Sequence, residues 1–501
     1  MRRKIAIALS ALLMCSTLCG CKGGEESSSS LKGKMDITGI EIPTFEETKG
    51  VTIAAYAGPT VENWSMSSRN INTLTDEHFK KLQEAGFNTL VALHEGAPGG
   101  LPQGSNKFEK IEIQSARAEE HAMRALTLAE KYDIKYYVRD WPFYDLANEK
   151  DYNISIEEYE QVLRKMFDDD NPYILSSAYA GNFGRDEPGI DQYDELAAQI
   201  KIYNQIMDEK GIDGEFLLNM LPVYGSLEAF GGPNGKPATY QEYLDRYFEE
   251  LAPLLGYFSY DFYPFKQDKI KGSAMRTTLV SNLEMLASRC KEGGYELRCF
   301  IQSQGDYTGL RDLTSVGDFR FQIYTNLAFG AKSLTYYEYG TFKSVDEGEF
   351  GLLNLKDGTY SYTYDLVKQV NHEVLAFEDA YLNYNYDGIM CFSSLPAGTI
   401  NANFRSVNNI MKTHPRIGNV KVTEDAIMSA FKDAEGNDAF MLVNYTDPYF
   451  DKDNTVTVEF KDARALLMYR FGKQEVVPLN TDGTYTFQLY PGEGRFIIPL
   501  K

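Results

Sequence analysis

The chain has 501 residues, a length typical of two or three domains, and 43% of them are hydrophobic, enough for a large core. Its 72 Asp and Glu outnumber its 50 Lys and Arg, which gives a formal net charge of −22 and disfavours binding to nucleic acid or to anionic membrane surfaces. The five His show no zinc-binding spacing, and the sequence has no glycine-rich phosphate motif, nucleophile elbow or calcium loop. The sequence therefore predicts neither a metal nor a cofactor.

The first twenty residues have the features of an export signal. Basic residues 1–4 precede an apolar stretch from Ile5 to Met14 that is too short to span a bilayer. Residues 18–21 read Leu-Cys-Gly-Cys and resemble the bacterial lipobox, which implies cleavage after residue 20 and lipidation of Cys21. We therefore expect an exported protein held at the outer face of a bacterial cell membrane only by a lipid on Cys21; an ordinary secretory signal is the alternative.

A flexible tether and lead-in are predicted for residues 21–50, because this segment begins with a Gly-, Glu- and Ser-rich stretch that cannot form a core. Beyond Cys21 the sequence has three cysteines, Cys290, Cys299 and Cys391. So few cysteines do not make a disulfide framework for an exported protein. A bridge between Cys290 and Cys299 and buried free thiols both stay open.

From residue 51, short strand-like runs alternate with stretches of helical periodicity. The predicted strands lie at 51–56, 88–93, 134–138, 178–181, 216–220, 256–260, 297–302 and 332–337. The predicted helices lie at 76–85, 115–132, 156–167, 193–207, 240–251, 274–290, 316–329 and 364–375. Eight strand–helix units predict an α/β fold, a (β/α)8 TIM barrel, over residues 51–384. The alternative, an open doubly wound sheet, would need fewer strands or a glycine-rich nucleotide turn.

After residue 385 the pattern changes to runs of alternating hydrophobicity separated by Gly, Asn and Asp turns. The runs lie at 430–431, 440–444, 455–460, 465–469, 484–490 and 495–498. They predict a small C-terminal antiparallel β-sandwich over residues 385–501. We expect it to pack against the barrel, and sugar binding is the alternative role.

Candidate site residues follow the predicted barrel strands, because TIM-barrel active sites lie at the carboxyl ends of the strands. Carboxylates and aromatic rings gathered at one rim suit a carbohydrate, since rings stack on sugar faces and carboxylates bind hydroxyls or transfer protons. The candidates are Tyr56, His94, Glu95, Arg139, Asp140, Trp141, Arg185, Asp186, Glu187, Asn219, Asp261, Tyr263, Gln302, Gln304, Asp306 and Glu338. We predict that Asp186, Glu187 and Glu338 are catalytic. The predicted carbohydrate contacts are Tyr56, His94, Glu95, Asp140, Trp141, Asn219, Asp261, Tyr263, Gln302 and Gln304.

The most specific segment runs from Gly184 to Gly189 and contains Asp186, Glu187 and Pro188. After the fourth strand it resembles the Asn-Glu-Pro motif of clan A retaining glycosidases, with Asp186 in place of the Asn. Residues 259–264, 320–339 and 490–496 are also similar to glycosidase barrels and their C-terminal sandwiches, so the resemblance covers most of residues 51–500. It implies a glycoside hydrolase in which Glu187 is the general acid/base.

The seventh strand departs from that pattern. Clan A enzymes have a nucleophilic Glu at its end, whereas this sequence has Gln302 and Gln304, and an amide cannot form the glycosyl ester. One possibility is that Glu338, Asp306 or Asp261 supplies the second carboxylate.

Substrate assistance and loss of catalysis are also open. The adjacent Asp186 and Glu187 resemble the pair of family 20 and family 123 hexosaminidases, which implies that Asp186 orients a 2-acetamido group of the substrate while Glu187 protonates the leaving oxygen. Alternatively, the barrel has lost hydrolysis and binds glycans without cleaving them.

The sequence thus predicts a cell-surface glycoside hydrolase acting on oligo- or polysaccharide. The alternative is a non-catalytic glycan-binding lipoprotein on a degenerate glycosidase barrel. As an acid near neutral pH, Glu187 needs a raised pKa; the charge of Asp186 raises that pKa, and an inward-facing Arg185 lowers it.

Overall fold

The protein is described here from a computed structural model covering residues 33–63, 69–93, 104–140, 143–144, 154–168, 171–232, 235–305, 309–342 and 350–501. The predicted export signal and lipidation site at Cys21 lie outside these residues, as do His94, Glu95, Trp141 and Asp306. Within the described ranges, no helix is both long and apolar enough to cross a bilayer.

A parallel eight-stranded sheet forms the larger part of the described chain. Its strands are β1 (Thr52–Tyr56), β2 (Thr89–Val91), β3 (Lys135–Val138), β4 (Tyr179–Asp186), β5 (Glu215–Asn219), β6 (Tyr257–Tyr260), β7 (Glu296–Gln302) and β8 (Ala331–Tyr337). Their order is β5-β4-β3-β2-β1-β8-β7-β6, and one parallel bridge between Met220 and Tyr260 joins the two ends. The predicted TIM barrel is confirmed, and the doubly wound alternative is wrong.

Helices follow the strands on the outside of the barrel. They are α1 (Asp76–Glu84), α2 (Lys107–Lys131), α3 (Ile156–Met166), α4 (Tyr193–Lys210), α5 (Tyr240–Glu250), α6 (Leu279–Gly293), α7 (Val316–Ala328) and α8 (Thr363–Leu375). Helix α2 begins before the predicted residue 115, because Asn106 and Glu109 form a capping box at its amino terminus. Helix α6 begins later than the predicted residue 274, because 265–268 and 272–275 pair as a short hairpin.

The C-terminal region is an antiparallel sandwich, as predicted. Its strands are β9 (Asn385–Phe392), β10 (Ile417–Val422), β11 (Ala426–Lys432), β12 (Asp438–Asn444), β13 (Asn454–Phe460), β14 (Ala465–Arg470), β15 (Lys473–Pro478), β16 (Thr484–Leu489) and β17 (Gly494–Leu500). A six-stranded sheet in the order β9-β11-β12-β17-β14-β15 faces a three-stranded sheet in the order β10-β13-β16. Apolar side chains such as Phe440, Val458 and Phe487 fill the core between them.

Helix α7 joins the barrel to the sandwich. It is buried from Gly317 to Ala328 and packs on one side against β7 and β8 and on the other against β12 and β17. Beside it, the Arg311 guanidinium donates to Asp318 Oδ1 at 2.5 Å and lies 3.6 Å from Asp447 Oδ1, which belongs to the sandwich. The Ser273 hydroxyl donates to Asp447 Oδ2 at 2.6 Å. A buried charge cluster therefore crosses the interface between the two domains.

The three remaining cysteines are free thiols. Cys290 lies on α6 and Cys299 on β7, and both are buried, while Cys391 on β9 is half-buried. The open question about a Cys290–Cys299 bridge is thus settled in favour of free thiols.

Candidate active site

A cavity of about 240 Å³ opens at the carboxyl ends of the barrel strands. Its described lining consists of Tyr56, Asp186, Glu187, Asn219, Asp261, Tyr263, Phe300, Gln304, Leu310 and Tyr337. Seven of these ten were candidates from the sequence; Phe300, Leu310 and Tyr337 were not. The structure therefore brings together three of the predicted carboxylates, from the ends of β4 and β6.

A larger cavity of about 660 Å³ opens at the opposite, amino-terminal mouth of the barrel and includes Thr52, Lys332 and an ion pair between Glu215 and Arg298. In TIM barrels the amino-terminal face serves stability and the carboxyl-terminal face holds the reacting groups. We therefore take the smaller cavity as the candidate active site.

The backbone at Glu187 explains how two adjacent side chains line the same cavity. Successive residues of a strand point to opposite faces, so Asp186 and Glu187 would face apart if the strand continued. Glu187 instead has φ of 47°, in the left-handed region that non-glycine residues rarely occupy. Its amide donates to the Asn219 carbonyl at 2.9 Å, which holds this turn against β5.

Asp186 lies half-buried beneath Glu187 and is surrounded by donors. The Tyr56 hydroxyl is 3.5 Å from Asp186 Oδ2, and the Asn219 amide nitrogen is 3.4 Å from Asp186 Oδ1. Arg139 donates to the Tyr56 hydroxyl at 2.7 Å. Burial raises the pKa of Asp186, while the charge of Arg139 and these hydrogen bonds oppose the increase.

Glu187 and Asp261 form an interacting pair of carboxyl groups. Glu187 reaches solvent at the cavity mouth, and Asp261 is buried behind it. Crowding by protein atoms, and next the charge of Asp186, raise the pKa of Glu187 to about 7, while a hydrogen bond from Asp261 opposes this increase. Burial and the charges of Glu187 and Asp186 raise the pKa of Asp261 well above its usual range. Near neutral pH the pair therefore shares a proton, since two adjacent carboxylates cannot both ionise easily in a poorly solvated site.

Aromatic rings form one wall of the cavity. The Tyr56 ring centroid lies 5.6 Å from that of Phe300 and 5.4 Å from that of Tyr337, and Tyr337 lies 5.6 Å from Tyr263. Tyr337 belongs to a tyrosine-rich strand end, so strand alternation could have identified it, but Leu310 lies in a loop and gave no signal in the sequence. The rings offer apolar faces next to the carboxyl groups.

Gln304 contributes a hydrogen-bond donor. Its side chain is 3% exposed and lines the cavity, and among the described residues its Nε2 has no hydrogen-bond partner. An amide thus stands beside the carboxyl cluster on the side of β7, where the glycosidases that the sequence resembles have a Glu.

Several predicted site residues lie away from this cavity. Gln302 is buried and hydrogen-bonded to other parts of the barrel. Its side-chain Nε2 donates to the Arg311 carbonyl at 3.0 Å, and its backbone N–H donates to Gln322 Oε1 at 2.9 Å. Glu338 is half-buried after β8 and is not among the described residues that line the cavity. Asp140 lines a separate cavity on the outside of the barrel.

A metal site is not visible in the part of the chain that the structure describes, since no three His, Cys, Asp or Glu side chains there are arranged to hold an ion. The carboxyl cluster instead has the parts needed to donate and accept protons.

The comparisons with known proteins concern the fold. The chain is similar to a family 42 β-galactosidase from G. stearothermophilus, solved as a catalytic mutant, with a TM-score of 0.52, 8% identity, and coverage of 91% of this chain and 99% of that one. A family 27 β-L-arabinopyranosidase from Geobacillus stearothermophilus has a TM-score of 0.44 at 11% identity, over 90% and 96% of the two chains. No protein-family model matches the sequence, and no curated protein matches it.

These structural neighbours are glycoside hydrolases built on TIM barrels. At 8% identity, the likeness to the β-galactosidase shows that this chain has the same glycosidase-like fold. The chemistry of the site has to be argued from its own residues.

Proposed function

We propose that the protein hydrolyses glycosidic bonds of an oligo- or polysaccharide, with Glu187 as the general acid/base. The observation that carries this proposal is the position of Glu187 beside Asp186 and Asp261 in a cavity at the carboxyl ends of the barrel strands, where burial raises its pKa to about 7. A carboxyl group with this pKa holds its proton for part of the time near neutral pH and can pass it to a leaving oxygen. Its exposure at the cavity mouth makes it accessible to a substrate.

The carboxyl and amide groups around Glu187 bear on the source of the nucleophile. Direct displacement needs two carboxyl groups about 5–5.5 Å apart for retention, or about 6.5–9.5 Å apart for inversion. The carboxyl groups of Glu187 and Asp261 interact closely enough for each to shift the pKa of the other. Two other features favour substrate assistance, in which a 2-acetamido group attacks the anomeric carbon and Asp186 orients it: Asp186 and Glu187 line the cavity side by side, and an amide, Gln304, stands on the side of β7.

Binding of the sugar would use the rest of the cavity. The Tyr263 and Tyr337 rings would contact an apolar sugar face, and the Gln304 amide would donate to a hydroxyl or to the acetamido oxygen. Asp186 would stay in place through Tyr56 and Asn219, which contact its two carboxylate oxygens.

The test is turnover of aryl glycosides by the chain from Lys22 onward, with and without a 2-acetamido group, beside the variants Asp186→Asn and Asp261→Asn. We expect turnover only of the 2-acetamido sugars and a larger loss for Asp186→Asn than for Asp261→Asn. Turnover of sugars that lack the group, abolished by Asp261→Asn, would replace substrate assistance with displacement by Asp261. Binding without turnover across the panel would contradict hydrolysis and favour a glycan-binding protein.

We also propose that the protein is anchored at the outer face of the bacterial membrane by a lipid on Cys21, on the strength of the lipobox-like residues 18–21. Replacing Cys21 by Ala should move the protein from the membrane fraction to the medium, because the remaining signal would then direct only secretion. Fractionation with detection of the C-terminal sandwich measures this. Membrane retention of Cys21→Ala equal to that of the wild type would contradict the anchor.

A further inference from the structure

A second cavity, of about 410 Å³, lies on the outer wall of the barrel between α2 and α3. It is separate from the carboxyl cavity at the barrel mouth. Its described lining consists of Phe108, Ile111, Glu112, Ser115, Ala116, Glu119, Asp140, Val162, Lys165, Met166, Asp168, Asn171 and Tyr173. The cavity combines an apolar wall with a buried acid.

The acid is Asp140, which follows β3 and is only 1% exposed. Its Oδ1 accepts a long hydrogen bond of 3.4 Å from the Phe143 amide. The Tyr173 hydroxyl lies close enough to lower the pKa of Asp140 through a hydrogen bond, but Oδ2 has no hydrogen bond of good geometry among the described residues. The buried Ser115 Oγ, which lines the same cavity, has no such hydrogen bond either. Buried polar atoms without well-oriented partners cost free energy, so two such atoms beside one cavity give a bound ligand two polar contacts.

The charges around the cavity favour a cation. The charged and titratable groups that line it beside Asp140 are Glu112 and Glu119 on α2, Lys165 on α3, and Asp168 and Tyr173 after α3. Lys165 forms an ion pair with Glu112, so acidic groups remain in excess among the described residues that line the cavity. Phe108, Ile111, Val162 and Met166 provide apolar surface next to this negative charge.

We propose that this cavity binds a small organic ammonium ion with an apolar body, whose N–H groups donate to Asp140 Oδ2 and Ser115 Oγ. The apolar body would pack against Phe108, Ile111, Val162 and Met166. The site would be independent of glycoside hydrolysis.

The pKa of Asp140 gives the site two measurable signatures. Burial raises this pKa to about 8, with a contribution from the charge of Glu119, while the Phe143 amide and the nearby Tyr173 hydroxyl oppose the increase. Binding of an ammonium ion near pH 7 should therefore release a proton, because the carboxyl must ionise to pair with it. In the free protein, the folded state binds the proton of Asp140 more tightly than the unfolded chain does. Protonated Asp140 therefore adds to the stability of the folded state below about pH 4, and this contribution is lost as the pH rises to about 8.

The test is calorimetric titration of the chain from Lys22 onward with benzylamine and with benzyl alcohol, its neutral analogue, at pH 7 in buffers of different ionisation enthalpy. We expect benzylamine to bind with proton release and benzyl alcohol to bind at least tenfold more weakly. Asp140→Asn should weaken the binding of benzylamine at least tenfold, and Ser115→Leu should fill the cavity and do the same. The control Glu120→Gln, an exposed position on α2 that does not line the cavity, should change it less than twofold.

Equal affinities for benzylamine and benzyl alcohol would overturn the proposal, and so would an unchanged affinity for benzylamine in Asp140→Asn. Hexylamine is titrated as a second ammonium ion, and the absence of binding by both amines would also overturn it.

Thermal unfolding distinguishes a ligand-binding acid from an acid that only supports the fold. Asp140→Asn should melt with the wild type near pH 4 and several degrees above it at pH 8, because the unpaired charge is removed. A lower melting temperature at pH 8 would show that Asp140 supports the fold and would also contradict the proposal.

Discussion

Glu187→Gln should lower kcat/KM about 10²–10⁴-fold, the usual contribution of a positioned general acid. The loss should be largest for glycosides with poor leaving groups and small for dinitrophenyl glycosides, which depart without protonation. In the wild type, kcat/KM should fall as the pH rises above about 7, because Glu187 loses its proton there. The variant should lack this limb, since Gln does not titrate. Steady-state rates across pH with two leaving groups measure all of these effects.

The control is Glu228→Gln, an exposed Glu in the short helix Leu227–Phe230 after β5 that does not line the cavity. It should leave both the rate and the pH profile unchanged. A Glu187→Gln protein with wild-type kcat/KM on poor leaving groups would rule out Glu187 as the acid. A uniform loss for every leaving group would point instead to a role in binding.

Arg311→Ala should lower the free energy of unfolding by about 3–5 kcal/mol, the usual result of removing one partner from a buried ion pair. Arg311 is 3% exposed, and Asp318, 1% exposed, would remain as a buried charge without its partner. Because Asp447 of the sandwich faces the same guanidinium, the interface between the two domains should weaken as well. Urea unfolding measures the change through the transition midpoint and its slope.

Arg164→Ala is the matched control. Arg164 pairs with Glu160 and Glu209 on the surface, and the three side chains are 40–47% exposed. Solvent and salt screen such pairs, so we expect almost no shift of the midpoint. A similar shift in both variants, or none in Arg311→Ala, would contradict the special role of the buried cluster.

Most of the fold could be predicted from sequence because the barrel repeats one unit eight times. Most of the buried strands are short and largely apolar, and most helices have apolar residues at helical spacing, often with a capping residue such as Thr75 or Ser315. The predictions failed where a local signal was weak. Three sandwich strands, β9, β10 and β15, were missed, and all three lie at the edges of their sheets. Residues 274–275, the end of the hairpin at 265–275, were read as the start of a helix.

The candidate site was predictable only as a set of positions. The rule that polar residues after strands gather at one rim correctly placed Asp186, Asn219 and Asp261 in the cavity. It could not say that Asp140 turns outward between two helices or that Gln302 enters a structural network, because a side chain beyond a strand end no longer follows strand alternation. Nor could it give the left-handed backbone at Glu187.

The closure of the barrel between β5 and β6 bears on how the site can open. A single bridge joins these strands, and next to it the Tyr257 hydroxyl accepts from the Leu218 amide and donates to the Phe216 carbonyl, each at 2.8 Å. Opening the barrel here requires the Tyr257 side chain to rotate, whereas opening it between two paired strands would break a ladder of backbone hydrogen bonds. Opening the barrel at this seam, next to Asp261, therefore breaks fewer backbone hydrogen bonds than opening it between strands joined by a full ladder. We therefore expect an incoming sugar to widen the pocket between Asp261 and Glu187, because few backbone hydrogen bonds have to break for these two residues to move apart.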